Sequence, residues 1–522
     1  MSILYLGISS KYIHTMPAGW FIAEFLKRKG IEIKEVYRNV NEDFDSVLNG
    51  VIKANPDILL LSVYIFNVEF IKKLIPEIRK RLKNCKIIIG GPEAHSDMDF
   101  DHMIVGEGEE ALYELLVKGG ERIIYAAPIK DLDALPSPYT PQRLEQCKNK
   151  LLYYEASRGC PFHCSYCMAS LSRGVRYFSL DRVKSDLKAI VSSGIKIIKF
   201  TDRTFNANAE RAALIFDFIY ENFKDAEVCF HFEVAGDLFD DRALKTLEKM
   251  PKGLIQIEAG VQTLNPNTLK SIDRVFDKDK FMSAIKKIIS WGNIHTHLDL
   301  IAGLPQDSLE TFSRSFNEVY ELKPHNLQLG FLKFLKGTRL YNTYKASFQK
   351  TAPYEIIDSP HMSGEDLALL KRVEFALQRV YNSGRFPHTL EYLSAFYPSP
   401  FELYKAMSDF FACKNITKGA YEEQIYQSLL EFGGFSPKIK ELLRFDYLLT
   451  HKINSAPKFL RKDYSKEFKR FLNATKASAH ILYAEFDHIP NAEKGGTALF
   501  DYSRLEPVTK RYRYEIIKQG AE

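Results

Sequence analysis

The segment Leu152-Tyr153-Tyr154-Glu155-Ala156-Ser157-Arg158-Gly159-Cys160-Pro161-Phe162-His163-Cys164-Ser165-Tyr166-Cys167 decides the reading of this chain. It begins as a strand over 152–157 and runs directly into three cysteines within eight positions. The chain has seven cysteines in 522 residues, at 85, 147, 160, 164, 167, 229 and 413. At that frequency the Cys-x3-Cys-x2-Cys spacing arises by chance in roughly one chain in a thousand. An odd count with local crowding points to metal binding, not to disulfides. Three thiolates at this spacing can wrap one corner of a cubane iron–sulfur cluster. Such clusters normally take four cysteines, so a trio leaves one iron open to an outside ligand. Zinc would want a fourth Cys or His close by. His163 lies inside the motif, where joint ligation is awkward.

Downstream of the cysteines, strand and helix signals alternate. Strands are expected at 196–201, 228–234, 254–258, 294–300 and 327–332, and helices at 182–192, 209–223, 242–248, 278–290 and 309–320. Asp307 and Glu310 have capping-box spacing before the last helix. Together with 152–157 this gives six strand–helix units, a partial (β/α)6 barrel whose chemistry sits at the carboxyl ends of its strands. Upstream, short apolar strands are expected at 3–8, 31–36, 57–64, 86–89 and 102–105. Helices fit 18–29 and 67–82, the second with Asn67 as its cap. Such alternation implies a Rossmann-like, doubly wound parallel sheet. A linker with prolines 136, 138 and 141 separates the two regions. Beyond 346 the pattern becomes helical. Leu367, Leu370, Val373, Leu377 and Val380 recur at helical spacing behind Ser363 and Asp366, and aromatics are dense between 396 and 411. The expected division is therefore α/β: a Rossmann-like domain at 1–135, a barrel at 148–345 and a mainly helical domain at 346–522.

The composition is that of a soluble globular chain, with 45% hydrophobic and 26% charged residues. The 72 Lys+Arg against 66 Asp+Glu leave +6, which permits an anionic substrate but gives no specific nucleic-acid signal. The longest near-apolar run, 58–66, is far short of the ~20 residues of a membrane span. With no signal-peptide pattern after Met1, a cytoplasmic location is expected.

With Tyr166 before its last cysteine, the trio resembles the signature of the radical S-adenosylmethionine (SAM) enzymes. Lys199 to Asn206, His231-Phe232-Glu233, Glu258 to Thr263 with Arg274, and Asp299 to Pro305 resemble later elements of that family in the same order. The resemblance implies a 4Fe–4S cluster on Cys160, Cys164 and Cys167, SAM on the open iron, and SAM contacts from Tyr166, Asp202, Glu233, Gln262 and Arg274. It also implies an electron donor such as flavodoxin or ferredoxin. The N-terminal region resembles the cobalamin-binding domain of the B12-dependent subfamily. Ser62, Gly90 and Gly91 match its serine and its glycine pair, and Gly106-Glu107-Gly108-Glu109 recurs there. The loop with His14 lacks the Asp and Gly of the cobalt-ligating motif, so His14 is expected to line the pocket or cap the next helix. The whole pattern resembles an uncharacterised branch of B12-binding radical SAM proteins with a C-terminal domain of unknown function.

The resemblance implies a 5′-deoxyadenosyl radical that takes hydrogen from an unactivated carbon, followed by methyl transfer from methylcobalamin. The alternatives are an oxidative cyclisation or rearrangement and a non-catalytic cobalamin or redox sensor. A methylthiotransferase would need a second cysteine trio upstream, where only Cys85 and Cys147 precede the motif. No catalytic side chain is assigned.

Overall fold

The computed structural model describes residues 1–172, 174–452, 456–475, 479–490 and 495–517. The chain forms two units. The first comprises Met1–Glu258, Leu269–Ala284 and Phe331–Ser359, and the second Ala259–Thr268, Ile285–Gly330 and Pro360–Glu522.

The first unit opens with six parallel strands: β1 (Ile3–Ser9), β2 (Lys34–Asn39), β3 (Ile58–Ser62), β4 (Lys86–Gly90), β5 (His102–Val105) and β6 (Ile123–Tyr125), in the order β2-β1-β3-β4-β5-β6. Helices α1 (Pro17–Arg28), α2 (Phe44–Ala54), α3 (Val68–Arg81) and α4 (Gly108–Lys118) cover it. Side chains alternate across a strand. Leu4, Leu6 and Ile8 accordingly share one core with Val47, Val51, Ile71 and Leu74 of α2 and α3. Ile3 and Tyr5 share the opposite core with Leu26, Leu112 and Leu115 of α1 and α4. The sheet is doubly wound, as expected.

Three local expectations are corrected, and one strand is new. The second strand starts at Lys34, not 31, because Gly30 turns at φ 82° and Ile31 N–H still bonds the Leu26 carbonyl behind α1. Asn67 makes no side-chain cap to α3. Buried at the strand ends, it donates to the carbonyls of Ile8 (2.9 Å) and Ser62 (3.1 Å) and accepts from Tyr64 N–H (2.7 Å). It ties β1 to β3 instead. The proline segment is no open linker: Leu132, Leu135 and Tyr139 are buried, and Arg143 pairs with Glu24 at 2.7 Å and Glu35 at 2.5 Å. Strand β6 has no counterpart among the expected strands.

The barrel strands follow: β7 (Leu151–Tyr154), then a hairpin of β8 (Ser157–Cys160) and β9 (Gly174–Tyr177), then β10 (Ile197–Phe200), β11 (Cys229–Val234), β12 (Ile255–Gln262), β13 (His295–Ala302) and β14 (Asn326–Phe331). In the first unit the order is β7-β10-β11-β12, and β10 is parallel to both β7 and β11. A short antiparallel pair, β15 (Ser347–Phe348) and β16 (Ile356–Asp358), ends this unit.

In the second unit the order is β12-β13-β14. The helix Leu309–Tyr320 is capped by Ser308 with Thr311, one residue later than expected, while Asp307 accepts from the Thr311 hydroxyl at 2.5 Å. Asn382 pairs with the edge of β14 as a strand would: its amide donates to Leu327 O and accepts from Leu327 N–H, both at 2.9 Å. An unpaired edge is thereby covered. Ser363 and Asp366 form the expected capping box on Gly364–Val380, whose Leu367, Leu370, Val373, Leu377 and Val380 are all buried. The helices end in an antiparallel sheet of β17 (Ile481–Phe486), β18 (Gly496–Leu505) and β19 (Tyr512–Ile517), which the sequence pattern did not suggest. Among the described residues no helix is long and apolar enough to cross a membrane.

Gly91 has φ 101°, and a Cβ there would lie 2.6 Å from the Val63 carbonyl oxygen. The sheet itself therefore requires this glycine. We expect Gly91→Ala to destabilise the first unit by roughly 1–3 kcal/mol, read as a lower urea midpoint; an unchanged midpoint would contradict the close approach.

Candidate active site

The cysteine loop hangs from the β8–β9 hairpin, with Cys160 opposite Gly174. Gly159, at φ 101°, faces the Gly174 carbonyl so closely that any Cβ would overlap it. The far side of the loop is pinned by Ser165, whose N–H bonds Ile272 O and whose carbonyl accepts from Leu340 N–H, both at 2.9 Å. All seven cysteines are free thiols. Cys160 and Cys164 are buried, and Cys160 Sγ lies 3.6 Å from Thr204 Oγ1. Burial pushes the Cys167 thiol up. The Ala169 N–H and the Arg203 guanidinium offset part of this, while Cys164 and Cys160 add to the rise. The charge at Cys167 thus responds to Cys164 and Cys160, and bound cationic iron would favour its thiolate.

Arg274 Nη1 lies 3.8 Å from Cys164 Sγ. Burial raises the Tyr166 phenol, against which the charge of Arg274 acts. Cys164, Tyr166 and Arg274 are therefore one cluster in the first unit. Glu233 ends β11 near Lys199 Nζ (3.5 Å), and burial lifts its carboxyl. Gln262, the last residue of β12, belongs to the second unit. It has φ 67°, and its buried Oε1 has no protein partner among the described residues. A strained backbone with an unsatisfied amide oxygen suits a ligand-contacting residue.

Asp202 is placed differently from the expected SAM contact. It is 2% exposed, its Oδ1 accepts from Ser157 Oγ at 2.5 Å, and its Oδ2 accepts from Ala156 N–H at 3.0 Å. The carboxyl braces the start of the cysteine hairpin.

In the sequence Lys199, His231 and Glu258 fall in family-like segments, but none of them is assigned a role there on the polar face of the first unit's barrel strands. Lys199 sits directly between Tyr153 and His231 in the register. Its Nζ is 2.9 Å from Glu258 Oε2, which is also 2.9 Å from His231 Nε2. Burial works against the lysine charge, but Glu258 and Glu233 outweigh it and raise its pKa. The signal was present: in Cys229-Phe230-His231-Phe232-Glu233 the phenylalanines are fully buried and the polar residues alternate with them. His14 caps no helix; its Nδ1 is 2.9 Å from the Tyr153 hydroxyl, at the edge of this network.

At the carboxyl ends of the N-terminal sheet, Ser62 lies beside Gly90 in register, and its Oγ accepts from the Tyr5 hydroxyl at 3.0 Å. Gly91 follows. Around them Tyr12 (69% exposed), Ile13, Phe66 and Val105 leave apolar surface open after β1, β3 and β5. A flat, largely apolar ligand would cover such a rim.

Three family models match in sequence order: the B12 binding domain over 4–116, the radical SAM superfamily over 154–319 and a protein of unknown function, DUF4080, over 342–505. The chain carries a radical SAM domain behind an N-terminal B12 binding domain. The radical SAM domain implies a 4Fe–4S cluster and SAM, and the B12 domain implies cobalamin. Cys160, Cys164 and Cys167 on one pinned loop would supply the thiolates of the cluster, and the apolar sheet rim suits a flat ligand.

Among its relatives, an uncharacterised methyltransferase of Pyrococcus horikoshii is 24% identical over 57% of this chain and 71% of its own. The cobalamin-dependent radical SAM methyltransferase TokK of Streptomyces tokunonensis is 24% identical over 53% of this chain; the match spans 46% of TokK, less than half its length. Among solved structures, the radical SAM methyltransferase TsrM of Kitasatospora setae aligns with TM-score 0.54 at 16% identity, covering 65% of this chain and 75% of TsrM. The cobalamin-dependent radical enzyme OxsB aligns with TM-score 0.57 at 14% identity, covering 85% and 78%. At these identities the structures support the fold alone.

The bracing role of Asp202 has a pH signature. Burial lifts its carboxyl to about 6, above the ~3.9 of an unfolded aspartate. The folded chain therefore holds this proton more tightly. The resulting stability is fully present below ~pH 4 and is lost as pH rises through about 6. Asp202→Asn should flatten the fall in urea midpoint between those values in cluster-free protein; parallel curves for variant and parent would contradict this.

Proposed function

We propose that this chain is a cobalamin-dependent radical SAM methyltransferase that acts on an unactivated carbon. The observation that carries the reading is the pinned three-cysteine loop, with Arg274 Nη1 3.8 Å from Cys164 Sγ and Tyr166 beside it, in the same unit as a doubly wound sheet with an open apolar rim. When bound, the cluster supplies an electron that cleaves SAM to a carbon-centred radical, and cobalamin supplies the methyl group. Cys160, Cys164 and Cys167 hold the cluster. Tyr166 offers a ring to the adenine. Arg274 suits the SAM carboxylate as a charge-assisted, bidentate donor. Glu233 suits the SAM ammonium, and the Gln262 amide oxygen accepts from a further polar group. Ser62, Gly90 and Gly91 give cobalamin a surface with little side-chain bulk. Lys199, His231 and Glu258 form a charged floor that suits a polar substrate. The reductant is a one-electron donor such as flavodoxin or ferredoxin, and the DUF4080 region recognises the substrate.

The test uses the full chain, reconstituted without oxygen with iron and sulfide. With reductant, SAM and hydroxocobalamin, 5′-deoxyadenosine and S-adenosylhomocysteine should both form. Deoxyadenosine without S-adenosylhomocysteine would favour cyclisation or rearrangement. Cys164→Ala should abolish cluster binding and deoxyadenosine release together; continued release would overturn the ligand assignment.

A further inference from the structure

Two positions before Cys160, Arg158 is gripped from both sides. Its Nε donates to Glu155 (3.1 Å), Nη1 to Glu107 (3.2 Å) and Nη2 to Glu109 (2.6 Å), and its guanidinium lies 5.3 Å from the Phe21 ring centroid. Glu107, Glu109 and Phe21 all belong to the N-terminal domain. Across the hairpin Arg158 stands directly opposite Arg176. Like charges at such a pair repel. Glu107 bridges them, accepting from Arg176 as well, and Ile129 N–H bonds the same carboxylate at 3.0 Å. The two arginines and three carboxylates are all mostly buried; burial raises Glu155 to about 7, so above that pH the group leaves one excess negative charge beside the cysteine loop.

A lone ion pair in this setting could be purely structural, because removing one partner strands the other in a poorly solvated place. Here the geometry is more specific. The arginine spends three donor directions on three carboxylates, and the residue that joins it to Cys160 is Gly159, whose missing side chain lets the hairpin close. Movement of Glu107 or Glu109 is thus transmitted to a cluster ligand along at most ~7 Å of backbone.

We propose that Arg158 is a positioning residue through which Glu107 and Glu109 of the B12 binding domain fix Cys160 and tune the reduction potential of the cluster. This rests on the reading of Cys160, Cys164 and Cys167 as cluster ligands. The domain that would hold the methyl carrier is thereby coupled to the centre that activates SAM.

The experiment compares full-length, anaerobically reconstituted parent, Glu107→Gln, Glu109→Gln, Arg158→Lys and Glu24→Gln at pH 8. Glu24, a carboxylate of the same domain paired with Arg143, controls for the loss of an ion-paired carboxylate. Iron and sulfide are counted, and the midpoint potential is read by paramagnetic resonance during a redox titration. Glu109→Gln should keep the parent's iron and ease reduction about tenfold, a positive shift of about 59 mV for a one-electron couple. Glu107→Gln, which leaves two arginines facing, should lose at least half the iron while circular dichroism stays at the parent's. Arg158→Lys, with one compact ammonium in place of the fork, should keep neither the parent's iron content nor its potential. If all three match Glu24→Gln in iron content and potential, the inference is overturned. A parent that assembles no cluster would sink the ligand assignment and this inference together.

Discussion

The structure depends on bringing three thiols into one partly buried place. Burial raises the Cys167 thiol, and the neighbouring Cys164 and Cys160 add to that rise, so its thiolate is costly to form. Such an arrangement persists as neutral thiols or as the ligands of a strongly cationic centre. The surroundings fit the second state. The loop is fixed at both ends, by the glycine-tight hairpin at Cys160 and by the Ser165 bonds to Ile272 and Leu340. Arg274 brings a positive charge to Cys164. Fixing the ligand geometry beforehand lowers the ordering entropy that cluster assembly would otherwise have to overcome.

The rest of the first unit distributes chemistry by strand alternation. In β11 the phenylalanines pack away while His231 and Glu233 share the polar face with Lys199 and Glu258. The same rule splits β1 between two cores and leaves the carboxyl ends of the N-terminal sheet to carry the open apolar rim. A Rossmann-like sheet and a barrel thus follow one logic, with rigid strands behind and functional loops at their ends.

What was legible in the sequence is what is local. The cysteine spacing, the strand–helix alternation and the Leu367-to-Val380 stripe each depend on neighbours a few positions away. What was hidden is what the fold brings from afar. Arg158 meets Glu107 and Glu109 across 51 and 49 positions. Asp202 reaches back 45 positions to Ser157, so a residue expected at the cofactor braces the hairpin instead. Asn67 looked like a cap because capping and strand-tying use the same amide, and only the nearness of Ile8 and Ser62 decides between them. The proline segment read as a linker because proline marks loops; Tyr139 is nevertheless buried in it and Arg143 ties it to Glu24 and Glu35. The C-terminal sheet escaped notice because Tyr512–Ile517 pairs with Gly496–Leu505 through a turn and a register shift that no clean alternation announces.

The central claim is that the trio leaves one iron of a cubane open for SAM. Paramagnetic resonance of the reduced, reconstituted full chain tests this most directly, with spectra taken before and after SAM is added. The account predicts a 4Fe–4S signal whose shape changes when SAM binds the open iron. A reduced cluster whose spectrum is indifferent to saturating SAM would contradict it, as would a loop that holds zinc and no iron.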